Sequence, residues 1–459
     1  MNTKFNQAVL AVLFVCLFTF LAVGNGAATV INVAAGLYTE DLTIPATKTN
    51  LEIVGAGPTS IIQGVATVPA ILFPQANPNI EILASGVKIH GFTIKSPAFV
   101  AGNYSSGIVI GAQNVEIYSN AFQCWAGDLS NGDIGQAIQT YHVAAVPGVN
   151  VSGLNVHDNT FTHLTAGTWG YEAIYINRDA PGGILVTVQN NTFSGNLFRA
   201  VTVERSNVTV TGNSIITDLV PTVDGFATAG AYEGISVRDA GFGGPVDQTG
   251  ITVTNNTIKG SGVGNGFLQG LRLGITGESM SSITVTGNTL SGNTTGVLVK
   301  DPGVADNVAT QITLANNNID GNATGVNNLE TDGALSADNN WWGSYKGAGL
   351  SDGFRTGDSV SGMVTVTIVT LGEYGVDSDG VAPNDDTDAN DDNDGYSDAD
   401  EVALVSNALD NLSPAAPSNI YVNADFTGSI GTDPDGGGPA TKMGYDAFTT
   451  IQAAINAAQ

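Results

Sequence analysis

One short pattern recurs along most of this chain: apolar, any residue, apolar, any residue, Gly or Asn, Asn, any residue, apolar. It occurs seven times, from residues 115–122 to residues 312–319. The asparagine near its end recurs at intervals of 39, 32, 22, 43, 32, 29 and 23 residues, at Asn120, Asn159, Asn191, Asn213, Asn256, Asn288, Asn317 and Asn340. A unit of about 22 residues with insertions of variable length explains these intervals, so the chain is a repeat protein.

Each unit contains short stretches in which Val, Ile and Thr alternate with other residues, and no helical periodicity of useful length. This composition predicts strands that stack in parallel, about 4.8 Å per turn, in an all-β solenoid with one coil per repeat. We expect each repeated Asn to adopt a left-handed turn conformation and to bond through its amide to the Asn of neighbouring coils.

The repeat resembles the right-handed parallel β-helix of the pectin-lyase-like superfamily. Residues 36–40 (Gly-Leu-Tyr-Thr-Glu), 51–55 and 61–62 resemble the first coils of that superfamily, which includes pectin methylesterases. Residues 340–343 (Asn-Trp-Trp-Gly) resemble its closing coil. The resemblance covers residues 30 to about 370 and implies a right-handed parallel β-helix. For the two tryptophans we favour a cap over the last coil rather than a platform for stacking a sugar.

A second column is formed by a Gly or Ala that precedes a short apolar strand. It runs through Gly107, Ala137, Ala173, Ala200, Gly234, Gly270, Gly296 and Gly325. Alternation after this column directs apolar residues inward and places Gln139, Tyr175, Thr202, Ser236 and Arg272 outward on one sheet. Five of the six arginines, Arg178, Arg199, Arg205, Arg238 and Arg272, then fall on or beside this sheet.

Long insertions with aromatic residues enter the same sheet, which predicts a groove able to hold an extended sugar chain. The candidate substrate-binding residues are Arg199, Arg272, Gln139, Tyr175, Trp169, Tyr171 and His142.

The superfamily resemblance implies cleavage of an acidic polysaccharide by β-elimination, the reaction of its pectate-lyase-like enzymes. That implication makes Arg178, Arg205 or Arg238 the catalytic base and Glu172, Glu204 and Glu233 the calcium ligands of the catalytic site. Polygalacturonase motifs and the catalytic Asp motif of pectin methylesterases are absent from the sequence. The alternative is a row of surface ion pairs, each worth roughly 0 to 1 kcal/mol.

The negative charge of the chain is concentrated near its C-terminus. Of the formal net charge of −28, residues 28–370 carry −13 and residues 371–459 carry −16, with Lys4 making up the difference. Nucleic-acid binding is excluded as a main function, because phosphate affinity depends on clustered Lys and Arg.

An acidic segment contains a 12-residue pattern typical of calcium loops. Residues 377–401 hold eleven acidic residues and no basic residue. Within them the spacing of Asn390, Asp392, Asp394, Tyr396, Asp398 and Glu401, with Gly395 at the sixth position, fits a Ca²⁺ loop in which Tyr396 supplies its carbonyl. The segment resembles thrombospondin type 3 or EF-hand-like repeats. A solvated acidic spacer is the alternative, and Asn390 at position 1 departs from the usual Asp.

The ends of the chain complete the predicted organisation. Residues 1–27 are typical of a signal peptide, residues 28–370 form the β-helix, residues 371–417 form the calcium-binding linker, and residues 418–459 begin a second β-helix. In the last segment Phe448, Ile451 and Ile455 share one face of a predicted cap helix. A short C-terminal docking helix is the alternative for this segment.

These features predict a secreted or cell-surface protein that is monomeric, has no transmembrane segment once mature, and uses Ca²⁺. It binds an acidic polysaccharide and is a candidate polysaccharide lyase. The rival hypothesis is a non-catalytic adhesive or structural stalk, stiffened by calcium in its linker.

Overall fold

The computed structural model describes residues 29–65, 77–96, 105–123, 135–143, 146–163, 171–179, 183–195, 197, 199–217, 233–238, 247–260, 266–275, 277, 279–300, 308–344, 346–351, 356–367, 421–437 and 439–450. Three long parallel sheets run side by side through the part up to residue 367. Each coil of the chain adds one strand to each sheet, so neighbours within a sheet are every third strand of the sequence. Parallel connections of this kind are right-handed, and the fold is a right-handed parallel β-helix, as predicted.

Each sheet takes its strands from successive coils. Sheet 1 contains Thr29–Val33, Leu51–Gly55, Lys88–His90, Glu116–Tyr118, Asn155–His157, Val186–Gln189, Val208–Thr211, Gln248–Thr254, Met280–Thr286 and Ile312–Ala315. Sheet 2 contains Gly36–Thr39, Ser60–Gln63, Thr93–Lys95, Ala121–Gln123, Thr160–His163, Thr192–Gly195, Ser214–Ile216, Thr257–Lys259, Thr289–Ser291 and Asn318–Asp320. Sheet 3 contains Leu42–Ile44, Asn77–Ile82, Ser105–Ile110, Gly135–Thr140, Tyr171–Ile176, Arg199–Val203, Glu233–Val237, Gln269–Leu273, Thr295–Val299, Thr324–Asn328 and Val360–Gly362.

The core is a column of apolar side chains enclosed by the three sheets. Phe122, Phe161 and Phe193 stack in register on sheet 2, with ring centroids 4.8 and 4.7 Å apart. The inward positions predicted for sheet 3 are buried, as shown by Ile174 and Val201. The Gly column also has a steric cause, because a Cβ on Gly234 would lie 2.6 Å from the carbonyl oxygen of Gly270.

The predicted asparagine ladder is present over eight coils. Each amide nitrogen donates to the Oδ1 of the next asparagine, as in Asn213 to Asn256 at 2.9 Å and Asn256 to Asn288 at 3.0 Å. The backbone N–H of the same residue donates to that oxygen as well, at 3.0 Å in both cases. The ladder therefore satisfies buried polar groups at every turn.

The predicted backbone conformation of these asparagines is wrong. The positive φ belongs to the residue before the ladder Asn, for example Asn190 at 53° and Asn255 at 55°. This assignment explains why Asn and Gly occupy the preceding position, since both tolerate the left-handed region.

A second, shorter ladder was not predicted. The Nδ2 of Asn293 donates to Oδ1 of Asn322 at 3.2 Å, and that of Asn322 donates to Oδ2 of Asp358 at 2.7 Å. The ladder thus ends on a carboxyl group rather than an amide. Burial raises the pKa of Asp358 to about 7, assisted by nearby Asp320 and opposed by the bonds from Asn322.

The last coils contain Trp341 and Trp342, which are both buried, as the cap interpretation requires. A 3-10 helix at Val308–Gln311 and a short parallel pair, Leu335–Ser336 with Val364–Thr365, complete this end.

The C-terminal part contains the parallel pair Tyr421–Val422 and Ala447–Phe448. The helical prediction is wrong for Phe448, which lies in a strand because Asn423 N–H donates to its carbonyl. Ile451 and Ile455 lie outside the described residues.

Candidate ligand site on sheet 3

Three rows of side chains cross the outer surface of sheet 3 from coil to coil. The strand register aligns Gln136, Glu172, Arg199, Glu233 and Gln269 in one row. It aligns Gln139, Tyr175, Thr202, Ser236 and Arg272 in a second row, as predicted. Tyr141, Asn177, Glu204 and Arg238 immediately follow four successive strands and form the third row.

The first row forms an ion network centred on Arg199. Its Nη1 donates to Oε1 of Glu172, and its Nε donates to Oε2 of Glu233 at 2.7 Å. All three residues are buried, with exposed fractions of 6% or less. The alternative prediction of surface ion pairs is therefore wrong about the environment, because these charges are desolvated and each depends on its partners.

Glu233 is surrounded by three guanidinium groups. Arg272 Nη1 donates to its Oε1 at 2.8 Å, and Arg238 Nε lies 3.8 Å from its Oε2, in addition to the bond from Arg199. Burial by itself favours the neutral acid, but Arg199, Arg238 and Arg272 together lower the pKa of Glu233 to about 2. Glu233 is therefore ionised at neutral pH and holds the three cations together.

Arg238 is the least satisfied of these cations. Within the described part of the chain, its Nε is buried and has no hydrogen-bond partner. Burial, followed by repulsion from Arg199 and Arg272, lowers the pKa of Arg238, while Glu233 opposes that shift. Arg199, Arg238 and Arg272 thus share Glu172 and Glu233, and buried Glu204 beside them balances the third positive charge.

Tyr175 and Glu204 lie beside this network. The Tyr175 hydroxyl bonds to Glu204, and burial followed by the charges of Glu204 and Glu172 raises the pKa of Tyr175 well above its usual value. Tyr175 is therefore a neutral donor at ordinary pH and not a base. Glu204 itself is buried.

Arg205 does not join the network. Its Nη1 donates to Oδ2 of Asp179 at 2.8 Å and its Nη2 donates to the carbonyl of Ile184 at 3.0 Å, with both charged residues buried. Burial lowers the pKa of Arg205 and raises that of Asp179, and each partner opposes the shift of the other. Asp179 was missed in the sequence, where only its position directly after Arg178 marks it.

Two amides of the same surface are fixed with their oxygens left over. Gln139 Nε2 donates to Ser106 Oγ at 2.6 Å, and Asn177 Nδ2 donates to the carbonyl of Thr140 at 2.5 Å. Among the described residues, no donor reaches Gln139 Oε1 or Asn177 Oδ1, although both are buried. Such oxygens are places where a ligand or a water molecule donates a hydrogen bond.

The other predicted residues lie at the ends of sheet 3 strands or outside the described residues. His142 is buried just beyond the strand Gly135–Thr140, and Arg178 is partly exposed beyond Tyr171–Ile176. Tyr171 begins that strand. Trp169 and the predicted calcium ligands, residues 390–401, lie outside the described residues.

Over the described ranges, no group of three or more His, Cys, Asp or Glu side chains is placed to hold a metal ion. Within the same ranges, no helix is long and apolar enough to cross a membrane.

No family model and no curated protein matches this sequence. Solved structures with a similar fold include a tailspike protein mutant of E. coli bacteriophage HK620 in complex with a pentasaccharide, at 15% identity and a TM-score of 0.41. The match covers 74% of this chain, which spans 58% of that tailspike chain.

Two other similar structures are bacterial. The A-module of a mannuronan C-5 epimerase from Azotobacter vinelandii is 13% identical, with a TM-score of 0.37 over 74% of this chain and 91% of that one. An alginate lyase from Paenibacillus is 14% identical, with a TM-score of 0.29 over 73% of this chain and 92% of that one. At these identities the likeness concerns the β-helix fold.

Proposed function

We propose that the outer surface of sheet 3 binds an acidic, uronate-containing polysaccharide, with Arg238 and Arg272 receiving a carboxylate of the polymer. The observation that carries the proposal is the incompletely bonded guanidinium group of Arg238, one of three that share Glu233. Arg238 Nε has no hydrogen-bond partner among the described residues, and the Arg238 and Arg272 side chains keep 13% and 12% of their surface exposed. A guanidinium group recognises a carboxylate with two parallel hydrogen bonds.

The polarity of the surface supports the same proposal. Buried Glu233 accepts a bond from Arg272 at 2.8 Å and lies 3.8 Å from Arg238, so a bound carboxylate meets guanidinium groups that are already held in place. The free oxygens of Gln139 and Asn177 accept hydrogen bonds, which suits sugar hydroxyls. The proposal rests on these residues and not on the similar structures, although those are named for a bound pentasaccharide, a mannuronan epimerase and an alginate lyase.

The test is calorimetric titration of the whole protein with polygalacturonate and with alginate. Replacing one charge-assisted hydrogen bond costs about 1.5–3 kcal/mol, so Arg238→Gln should weaken binding at least about tenfold. Lys259→Gln is the matched control, because it removes an exposed cation from sheet 2. Absence of binding to both polymers, or equal losses in the two variants, would contradict the proposal.

Cleavage by β-elimination is a second candidate, favoured by the lowered pKa of Arg238. In this reaction Arg272 would hold the carboxylate, and Arg238 in its neutral form would remove the proton from the carbon next to it. The bond to the neighbouring glycosidic oxygen would break, and that oxygen would take a proton. The product contains a new C=C bond, so ultraviolet absorbance measures it directly. Binding without this absorbance leaves the protein a binding module.

A non-catalytic stalk is favoured by a different observation, which is that most of the network is buried and internally paired. If neither polymer binds, and Glu233→Gln changes only stability, the stalk explains the sheet better than a ligand site does.

The acidic segment is proposed to bind Ca²⁺ and the protein to act outside the cell. The spacing of residues 390–401 supports calcium, and residues 1–27 support export. Calorimetry with Ca²⁺ should show uptake that Asp394→Ala weakens, while Asp425→Ala, outside the loop, should not. A calorimetric titration of the intact protein with Ca²⁺ that shows no heat of binding would refute the calcium proposal.

A further inference from the structure

The outer surface of sheet 1 changes character halfway along the β-helix. Its early strands present charged and aromatic residues, including Lys88 and Glu116, which form an ion pair. From Val186–Gln189 to Ile312–Ala315, two outward positions on each of five strands are aligned in register, and none of these ten is charged, in a protein whose net charge is −28. Eight of them form what we call the threonine face: Thr187, Thr209, Thr211, Thr252, Thr254, Thr284, Thr286 and Thr313.

The strand register makes this face a two-dimensional array. Thr209, Thr252 and Thr284 are direct partners on successive strands, and so are Thr211, Thr254 and Thr286. Neighbouring strands are about 4.8 Å apart, and alternate residues of one strand are about 6.7 Å apart. The array is partly exposed throughout.

The side chains in the array are stiff and chemically uniform. Threonine is branched at Cβ, which restricts its side-chain rotation in a strand. Each residue offers one hydroxyl and one methyl group, and Thr254 Oγ1 bonds to Thr211 Oγ1 at 3.0 Å, which fixes two neighbouring hydroxyls of one row. An ordered surface of this kind can hold an ordered layer of water at low entropic cost.

The spacing approximates that of a water lattice. In a tetrahedral network of water, hydrogen-bonded oxygens are about 2.75 Å apart, which places second-neighbour oxygens about 4.5 Å apart. Perpendicular to its puckered layers, the network repeats about every 7.3 Å. The array repeats match these two distances to within about 0.3 and 0.6 Å.

Other occupants fit the face less well. Five coils by four residues give roughly 300 Å², whereas a stable complex needs about 800 Å² per partner, which disfavours a second copy of the chain. A charge-free face has nothing to neutralise an acidic polymer. The face contains no aromatic ring on which a sugar could stack. Exposed Leu185 lies next to the face and extends one row of it.

From the array, its lack of charge and its spacing, we infer that the threonine face binds ice. This inference is independent of the polysaccharide proposal, which concerns sheet 3. The two can therefore fail separately, and Arg238→Gln should leave ice binding unchanged.

The test measures thermal hysteresis and inhibition of ice recrystallisation by the whole protein. Thr252→Lys places a long cation at the centre of the array and should raise the protein concentration required at least about tenfold, because the charge must lose its water to reach the ice. Thr257→Lys is the matched control, since Thr257 is partly exposed on sheet 2 in the same coil.

Further variants and a competing partner keep the test decisive. Thr252→Val removes one hydroxyl while keeping the side-chain shape, and it should weaken the inhibition of ice recrystallisation. It replaces Thr252→Lys in the test if that variant fails to fold. Wild-type protein with no effect on ice, or equal activity in the Thr252 and Thr257 variants, overturns the inference. Retention of wild-type protein on microcrystalline cellulose without any effect on ice also overturns it, in favour of a neutral polysaccharide.

Discussion

Replacing Asp358 with Asn should make the stability of the β-helix less dependent on pH. Asp358 is buried, and its Oδ2 accepts bonds from both the N–H and the Nδ2 of Asn322, at 2.9 and 2.7 Å. Asparagine can accept the same two bonds through its Oδ1, as the other members of that ladder do. The substitution therefore removes the carboxyl charge and keeps the ladder.

The size and sign of the effect follow from the pKa of Asp358, which burial raises from 3.8 to about 7. The raised value means that the folded protein binds the proton more tightly than the unfolded chain does. Stability is thus fully present below about pH 4 and is lost as the pH rises towards 7. A difference of about 3 pKa units corresponds to about 4 kcal/mol.

Urea unfolding between pH 4 and pH 8, followed by tryptophan fluorescence, measures this effect close to its source. Asp358 N–H donates to the carbonyl of buried Trp342 at 2.8 Å. Asp358→Asn should resemble the wild type at pH 4 and be up to about 4 kcal/mol more stable at pH 8. Asp247→Asn, which removes an exposed charge, is the control. Parallel pH profiles for wild type and Asp358→Asn would refute the reasoning.

Three other substitutions test the ladder and the ion pairs. Asn256→Ala should destabilise the protein by about 2–5 kcal/mol, because buried donors of Asn213 lose their acceptor, and urea unfolding against partly exposed Asn155→Ala checks this. Glu233→Gln should cost about 3–5 kcal/mol at pH 7, and the difference from wild type should shrink as the pH falls from 4.5 towards 2, the pKa of Glu233 in the fold. Arg205→Ala should cost a similar amount by stranding Asp179, yet leave polymer affinity unchanged; a loss of affinity would place Arg205 in the ligand site.

The repeat pattern was sufficient to predict the fold because one residue type has the same contacts in every coil. Asn120 and Asn317 are far apart in sequence, but each donates its Nδ2 to the next ladder asparagine. Inward and outward positions on sheet 3 also followed from alternation, since parallel strands in register preserve it over the whole sheet.

Local backbone geometry was less predictable. The left-handed residue and the ladder asparagine are adjacent, and Asn is common at both positions, so sequence alone did not separate their roles. The second ladder contains only Asn293 and Asn322 before it ends at Asp358. A ladder of three residues, the last of a different type, repeats too few times to be predicted from the sequence.

The environment of the charges was the largest difference from expectation. Register predicted that Glu172, Arg199 and Glu233 are neighbours, and they are. It did not predict that they are buried, because burial depends on everything that packs over the sheet and not on the strand alone. The pairing of Arg205 with Asp179 was also missed, although the two residues lie just after neighbouring strands of sheet 3 on successive coils.

Burial changes what the arginine cluster can contribute to binding. An exposed arginine gains little from meeting a carboxylate, since water already solvates it and salt screens the pair. Arg238 has lost part of its solvation during folding, and its nearest carboxylate, Glu233, is shared with Arg199 and Arg272. A carboxylate that reaches Arg238 therefore restores an interaction that the fold leaves incomplete. The affinity of the site should accordingly fall less steeply with added salt than that of an exposed cationic patch.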